Sequence, residues 1–152
     1  MKILVCVDGS EQSFKALEKA AVIARGCQSD EVAVIYVDDG KHNIFLSIDR
    51  NKDYLDDDDI REIKQLQQEH KERREAILSD ALKALEKHNI TARPILKVGH
   101  PARVIVDVAH TDGFDLIVIG NRGLGGLRRV ILGSVSNAVV QEVKNCSVLT
   151  VK

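Results

Sequence analysis

Residues 116–136 read Leu-Ile-Val-Ile-Gly-Asn-Arg-Gly-Leu-Gly-Gly-Leu-Arg-Arg-Val-Ile-Leu-Gly-Ser-Val-Ser. The first four are apolar at every position, as a strand buried on both faces of a parallel sheet must be. The chain then breaks into a loop holding Gly120, Gly123, Gly125, Gly126 and Gly133, five of the ten glycines in the protein. It re-enters regular structure at Ser134, after which Val135, Ala138, Val139 and Val143 recur at helical spacing. A buried strand, a glycine loop and a helix in succession are half of a βαβ unit, the building block of an α/β fold.

The rest of the chain repeats the alternation. Short apolar runs at Ile3–Val7, Val32–Val37, Ala92–Val98 and Val148–Val151 have the length and β-branched content of strands. Between the first two, Phe14, Leu17, Ala20, Ala21 and Ala24 mark a helix that Ser10 or Ser13 would cap and Gly26 would end. Pro101 suits the first turn of another helix, continued by Val104, Ile105, Val108 and Ala109. The expected fold is α/β, a doubly wound five-stranded parallel sheet with helices on both faces. Ile3–Val7 and Leu116–Ile119 are apolar on both faces and belong inside the sheet. The third run holds Arg93, Pro94 and Lys97, and the last alternates from Ser147 to Val151, so both belong at edges.

One segment departs from this rhythm. Asp38–Asp59 is polar and loop-like, with Ile44, Phe45, Leu46 and Ile48 as a small apolar patch, and belongs to a polar insertion spanning about residues 41–75. A long helical stretch follows from Ile60 to Lys87. Its first half, Arg61 to Arg74, is mostly charged and is expected to project or to meet a signalling partner. Its second half, with Ile77, Leu78, Ala81, Leu82 and Leu85, is expected to pack on the sheet. The Asp56–Asp59 run suits a helix N-terminus better than a metal.

Composition narrows the function. The chain has 152 residues, the size of one domain. With 22 basic and 23 acidic residues and 3% aromatics, it offers neither a basic field nor a stacking surface for nucleic acid. No apolar run approaches a membrane span or a signal peptide. Cys6, Cys27 and Cys146 are widely spaced, which suggests buried free thiols in a reducing cytoplasm rather than disulfides or zinc ligands.

The glycine stretch carries the chemistry. Glycine lets backbone approach a ligand closely, and Gly133-Ser134-Val135-Ser136 places free N–H groups and two hydroxyls at a helix start, an anion site. Arg122, Arg128 and Arg129 add positive charge. Together these suit a polyphosphate. The loop is neither Gly-x4-Gly-Lys-Ser/Thr nor a dinucleotide fingerprint, since the first strand runs into Val7-Asp8-Gly9-Ser10. Asp8 ends that first strand. If it neighbours the strand ending at Ile119, Asp8 and Gly120 flank one crevice at the point where strand order reverses. There a carboxylate can accept from a ribose hydroxyl or an adenine amino group. Its plainer role is an N-cap or Asx-turn for the next helix, and the two are compatible. Val37, at the end of the second strand, would line the same side.

The spacing Gly120-x2-Gly123-x9-Gly133-Ser134 is similar to the nucleotide-binding motif of the universal stress protein family. The opening Ile3-Leu4-Val5-Cys6-Val7-Asp8-Gly9-Ser10, the Val98-Gly99-His100-Pro101 turn, Asp115–Gly120 and the closing Cys146–Val151 resemble the family as well. The resemblance implies strand order 3-2-1-4-5 and membership of the ATP-binding branch, with ATP (AMP or ADP as alternatives) and Mg²⁺ as candidate companions. It implies that Asp8 and Val37 meet the adenine and ribose, and that Gly120, Gly123, Gly133, Ser134, Val135 and Ser136 hold ribose and phosphates. Val7, Ile119 and Arg122 complete the candidate set. It also implies a homodimer paired through the last strand, Ser147 to Lys152. The family role is regulatory, in the stress response. The alternative is an ATP hydrolase or phosphotransferase using the same site, against which the loop offers no lysine. A receiver-type phosphoacceptor needs clustered acids at the first strand's end, and Asp8 stands alone there.

Overall fold

In the computed structural model, which describes residues 1–40, 56–123 and 132–152, strands and helices alternate along the chain. They are β1 (Lys2–Cys6), α1 (Glu11–Gly26), β2 (Glu31–Asp38), α2 (Asp57–Glu86), β3 (Arg93–Val98), α3 (Pro101–Thr111), β4 (Leu116–Gly120), α4 (Ser134–Glu142) and β5 (Ser147–Val151). The five strands form one sheet, every pair parallel, in the order β3-β2-β1-β4-β5.

Period-two alternation sorts the side chains into two layers. Ile3, Val5, Val7, Val32, Val34, Val118 and Val151 face α1 and the C-terminal half of α2, meeting Leu17, Ala20, Leu78, Ala81 and Leu85. Leu4, Cys6, Ala33, Ile35, Ile117 and Ile119 face the other way, toward Ala102, Ile105, Ala109 and Val139 of α3 and α4. β1 and β4 are buried on both faces, as their composition requires. In β3 only Ile95 is buried, and Pro94 sits on this outer strand opposite Val34. The interior and edge strands are those expected from the sequence.

Helix starts follow local chemistry. Ser10 caps α1, accepting from the Ser13 N–H at 3.2 Å. α2 begins earlier than the apolar pattern suggests, because Asp56 and Asp59 form a reciprocal capping box with N–H to carboxylate distances of 2.9 and 3.1 Å. The aspartate run is thus a helix start. Among the described residues no group of three acidic, histidine or cysteine side chains is placed to hold a metal. The exposed face of residues 57–73 carries mostly charge, while Leu78, Ala81 and Leu85 are the buried part of α2. Residues 41–55, which include the Ile44–Ile48 patch, lie outside the described residues.

Two expectations need correction. The cysteines are free, but only Cys6 is buried; Cys27 lies exposed at the end of α1 and Cys146 is half-buried. Arg74, assigned to the projecting half of α2, instead docks on the sheet through Asp38. At the opposite end of the strands, Arg93 joins Glu31 (2.8 Å) to Asp112 (2.9 Å) and lies 5.8 Å from the Phe114 ring centroid, tying β3 to β2 and to the end of α3. Among the described residues no helix is long and apolar enough to cross a membrane.

Candidate functional site

β1 pairs with β2 on one side and with β4 on the other, so the strand order reverses at the carboxyl ends of β1 and β4. That is where doubly wound sheets open a crevice. Asp8 lies at one lip. Its Oδ1 accepts from the Ser10 N–H at 2.9 Å and from the Ser10 hydroxyl at 2.5 Å. This is an Asx-turn, made through Gly9 at φ +83°. The turn fixes the carboxylate and leaves Oδ2 pointing across the crevice. There it lies against Gly123, so that a Cβ at residue 123 would collide with it.

The two glycines of the Gly120-x2-Gly123 spacing therefore do different work. A Cβ on Gly120 would stand 2.9 Å from the backbone carbon of Gln12 and 3.0 Å from its oxygen. Gly120 lets the end of β4 close onto the first turn of α1. Gly123 lets the backbone past β4 come up against the Asp8 carboxylate.

The start of α4 is built from the same end of the sheet. Asn121, buried just past β4, donates its N–H to the Val151 carbonyl (2.7 Å) and accepts the Gly133 N–H on its own carbonyl (2.7 Å). The buried Ser136 hydroxyl lies 3.1 Å from the Asn121 carbonyl and 3.0 Å from that of Gly133. One hydroxyl proton serves both, so Ser136 anchors α4 to β4 through its side chain. Gly133 is the N-cap and brings no side chain to the first-turn N–H groups. Among the described residues, the N–H groups of Ser134, Val135 and Ser136 have no capping side chain of the kind that Ser10 and Asp56 give α1 and α2, which is the arrangement an anion can fill. Ser134 is exposed and Val135 half-buried. The backbone of Arg122 passes within 3.4 Å of where a Gly133 Cβ would be, and the Arg122 side chain is exposed.

On the β2 side, Val37 is half-buried at the crevice edge. Val7 and Ile119 are 5% and 7% exposed, members of opposite core layers, so only their backbones are offered to a ligand. Arg128, Arg129, Gly125 and Gly126 lie outside the described residues. Sequence reasoning missed three side chains that reach this end. Ile77 of α2 fills the space beside Gly9, within 2.7 Å of a Cβ built there. Arg74, one turn earlier, holds Asp38 at 2.7 Å. Tyr36 is half-buried, and burial first, then the nearby Asp38, raises its phenol above the usual value. The i, i+3 spacing of Arg74 and Ile77, at the start of the apolar stripe, was the available signal.

Likenesses to known proteins agree with the fold. The universal stress protein family matches residues 1–152. The chain is 34% identical to universal stress protein YxiE of Bacillus subtilis (strain 168), covering 99% of this chain and 98% of that protein. It is equally 34% identical to universal stress protein Sll1388 of Synechocystis, covering 99% and 97%. Among solved structures, universal stress protein UspA from Lactobacillus plantarum superposes with a TM-score of 0.76 at 24% identity over 100% of this chain and 97% of that one. The universal stress protein from Archaeoglobus fulgidus in complex with dAMP does so with a TM-score of 0.63 at 26% identity, over 100% and 98%. The chain belongs to the universal stress protein family.

Proposed function

We propose that this protein binds an adenine nucleotide, ATP in the first instance with ADP or AMP as lesser ligands, at the carboxyl edge of β1 and β4, and that it acts as a regulator in the stress response. The observation that carries this reading is the meeting of Asp8 and Gly123 across the crevice. A carboxylate fixed at the lip of the crevice suits a ribose hydroxyl or a nucleotide-bound Mg²⁺. The uncapped start of α4 suits the phosphates. The dAMP complex of the Archaeoglobus relative supports the adenine assignment. Asp8, Val37, Gly123, Gly133, Ser134 and Val135 are the contacts, with Val7 and Ile119 contributing backbone. Gly120 and Ser136 act by holding α1 and α4 in place, and Arg122 adds charge at the phosphate end.

Binding rather than turnover is favoured because residues 120–136 contain no lysine, the group that most often steadies a transferring phosphoryl in a loop of this kind. In this reading the protein works in the cytoplasm as a homodimer joined along β5, and the charged face of α2 is free for a signalling partner. Mass spectrometry of small molecules released on denaturing freshly purified protein tests the ligand. An adenine nucleotide near one per chain is expected; a non-nucleotide ligand at that stoichiometry would contradict the reading.

A further inference from the structure

Helix α2 touches the carboxyl end of the sheet at two points, at Asp38 after Val37 and at Gly9 after Asp8. Arg74 Nη1 donates to Asp38 Oδ2 at 2.7 Å, with the two side chains 25% and 20% exposed. Asp38 is the last residue of β2, directly after Val37. Its Oδ1 accepts the Gly40 N–H at 3.0 Å, and its carbonyl accepts the Gly99 N–H at 2.9 Å. One residue thus pins the end of β2 to α2, to its own following turn and to the turn after β3. One turn further along α2, Ile77 packs on Gly9, beside Asp8.

Arg74 engages Asp38 through one nitrogen, and its Nε–H is buried with no acceptor among the described residues.

We infer that α2 clamps the base half of the nucleotide site, with Arg74 as a positioning residue that fixes Asp38 and through it the Val37 wall. This rests on the nucleotide reading above and adds to it. The long helix then makes the grip on the base depend on α2, whereas the phosphate half depends on α4.

The test compares AMP with ribose 5-phosphate, which lacks the base, by calorimetry on the full chain. Arg74→Met is expected to weaken AMP by about 3- to 30-fold, within the range for residues coupled in one contact network, and to leave ribose 5-phosphate unchanged. Arg74→Lys should recover most of the loss by restoring a charge to Asp38. Asp38→Asn should weaken AMP alone and add little when combined with Arg74→Met. Equal loss of both ligands, or AMP binding indifferent to Arg74→Met, overturns the inference. Should the wild type bind neither AMP nor ATP, the nucleotide reading itself fails, an outcome distinct from the other two; should it bind ATP alone, the same comparison is read with ATP in place of AMP.

Discussion

The Asp8 carboxylate and the Cα of Gly123 face one another across the mouth of the sheet, with no room between them for a Cβ. One residue lies two positions past the end of β1 and the other three past the end of β4, 115 positions apart in sequence. The contact exists because β1 and β4 are paired neighbours, Cys6 beside Ile119, and because Ser10 turns the carboxylate toward that side.

Substitution at the two glycines should separate their roles. Gly123→Val puts a branched side chain where Asp8 Oδ2 lies, at an exposed position. Circular dichroism and melting should stay close to wild type while adenine-nucleotide binding is lost. Gly120→Ala meets the Gln12 backbone at 2.9 Å, and backbone cannot rotate away as a side chain can. It should destabilise by roughly 1–3 kcal/mol, a fall in Tm of about 3–10 °C. A stable Gly120→Ala, or a Gly123→Val that binds normally, would reverse the assignment.

Much of this was legible in the sequence. Leu116–Ile119 and Ile3–Val7 are apolar at every position, which puts them inside a parallel sheet, and Pro94 marks an edge. Ser10, Pro101 and Ser134 announce their helices by local chemistry. What was not legible depends on contacts between distant segments. Gly120 and Gly123 look alike in the chain, and only the packing of α1 against β4 gives them separate tasks. Ser136 read as a phosphate ligand because it begins a helix, yet its hydroxyl turns inward to the Asn121 and Gly133 carbonyls. Arg74 sat within a run of charges, and its docking on Asp38 follows from the packing of α2 against β2.

The acid side of the stability profile should report Glu31. The guanidinium of Arg93 beside it holds its carboxyl below the ordinary value of 4.5. A depressed folded-state pKa contributes stability that is complete above the unfolded value and is lost as pH falls through the folded one. Glu31→Gln should therefore cost up to about 1 kcal/mol near neutral pH, because the pair is half exposed. The difference from wild type should shrink as pH falls below the ordinary value of 4.5 and on through the lowered folded-state value. Denaturant melts at several pH values measure it, and a gap that widens in acid would contradict the pairing.

The β5 edge gives a clean probe of assembly. The Ser147 N–H and the Val151 carbonyl bond inward to β4 and its flanking residues, so by alternation the N–H of Thr150 points out. Thr150→Pro removes that outward donor and spares the inward ladder. Wild type should sediment as a dimer and Thr150→Pro as a monomer with a near-native circular dichroism spectrum. A monomeric wild type would refute pairing along β5.

The most direct measurement is a calorimetric titration of the wild-type chain, freed of carried-over ligand, with ATP and then GTP. Saturable ATP binding near one site per chain is expected, abolished in Gly123→Val and much weaker for GTP. No heat of binding with ATP, ADP or AMP, or ATP affinity unaltered by Gly123→Val, would contradict a nucleotide site between Asp8 and the start of α4.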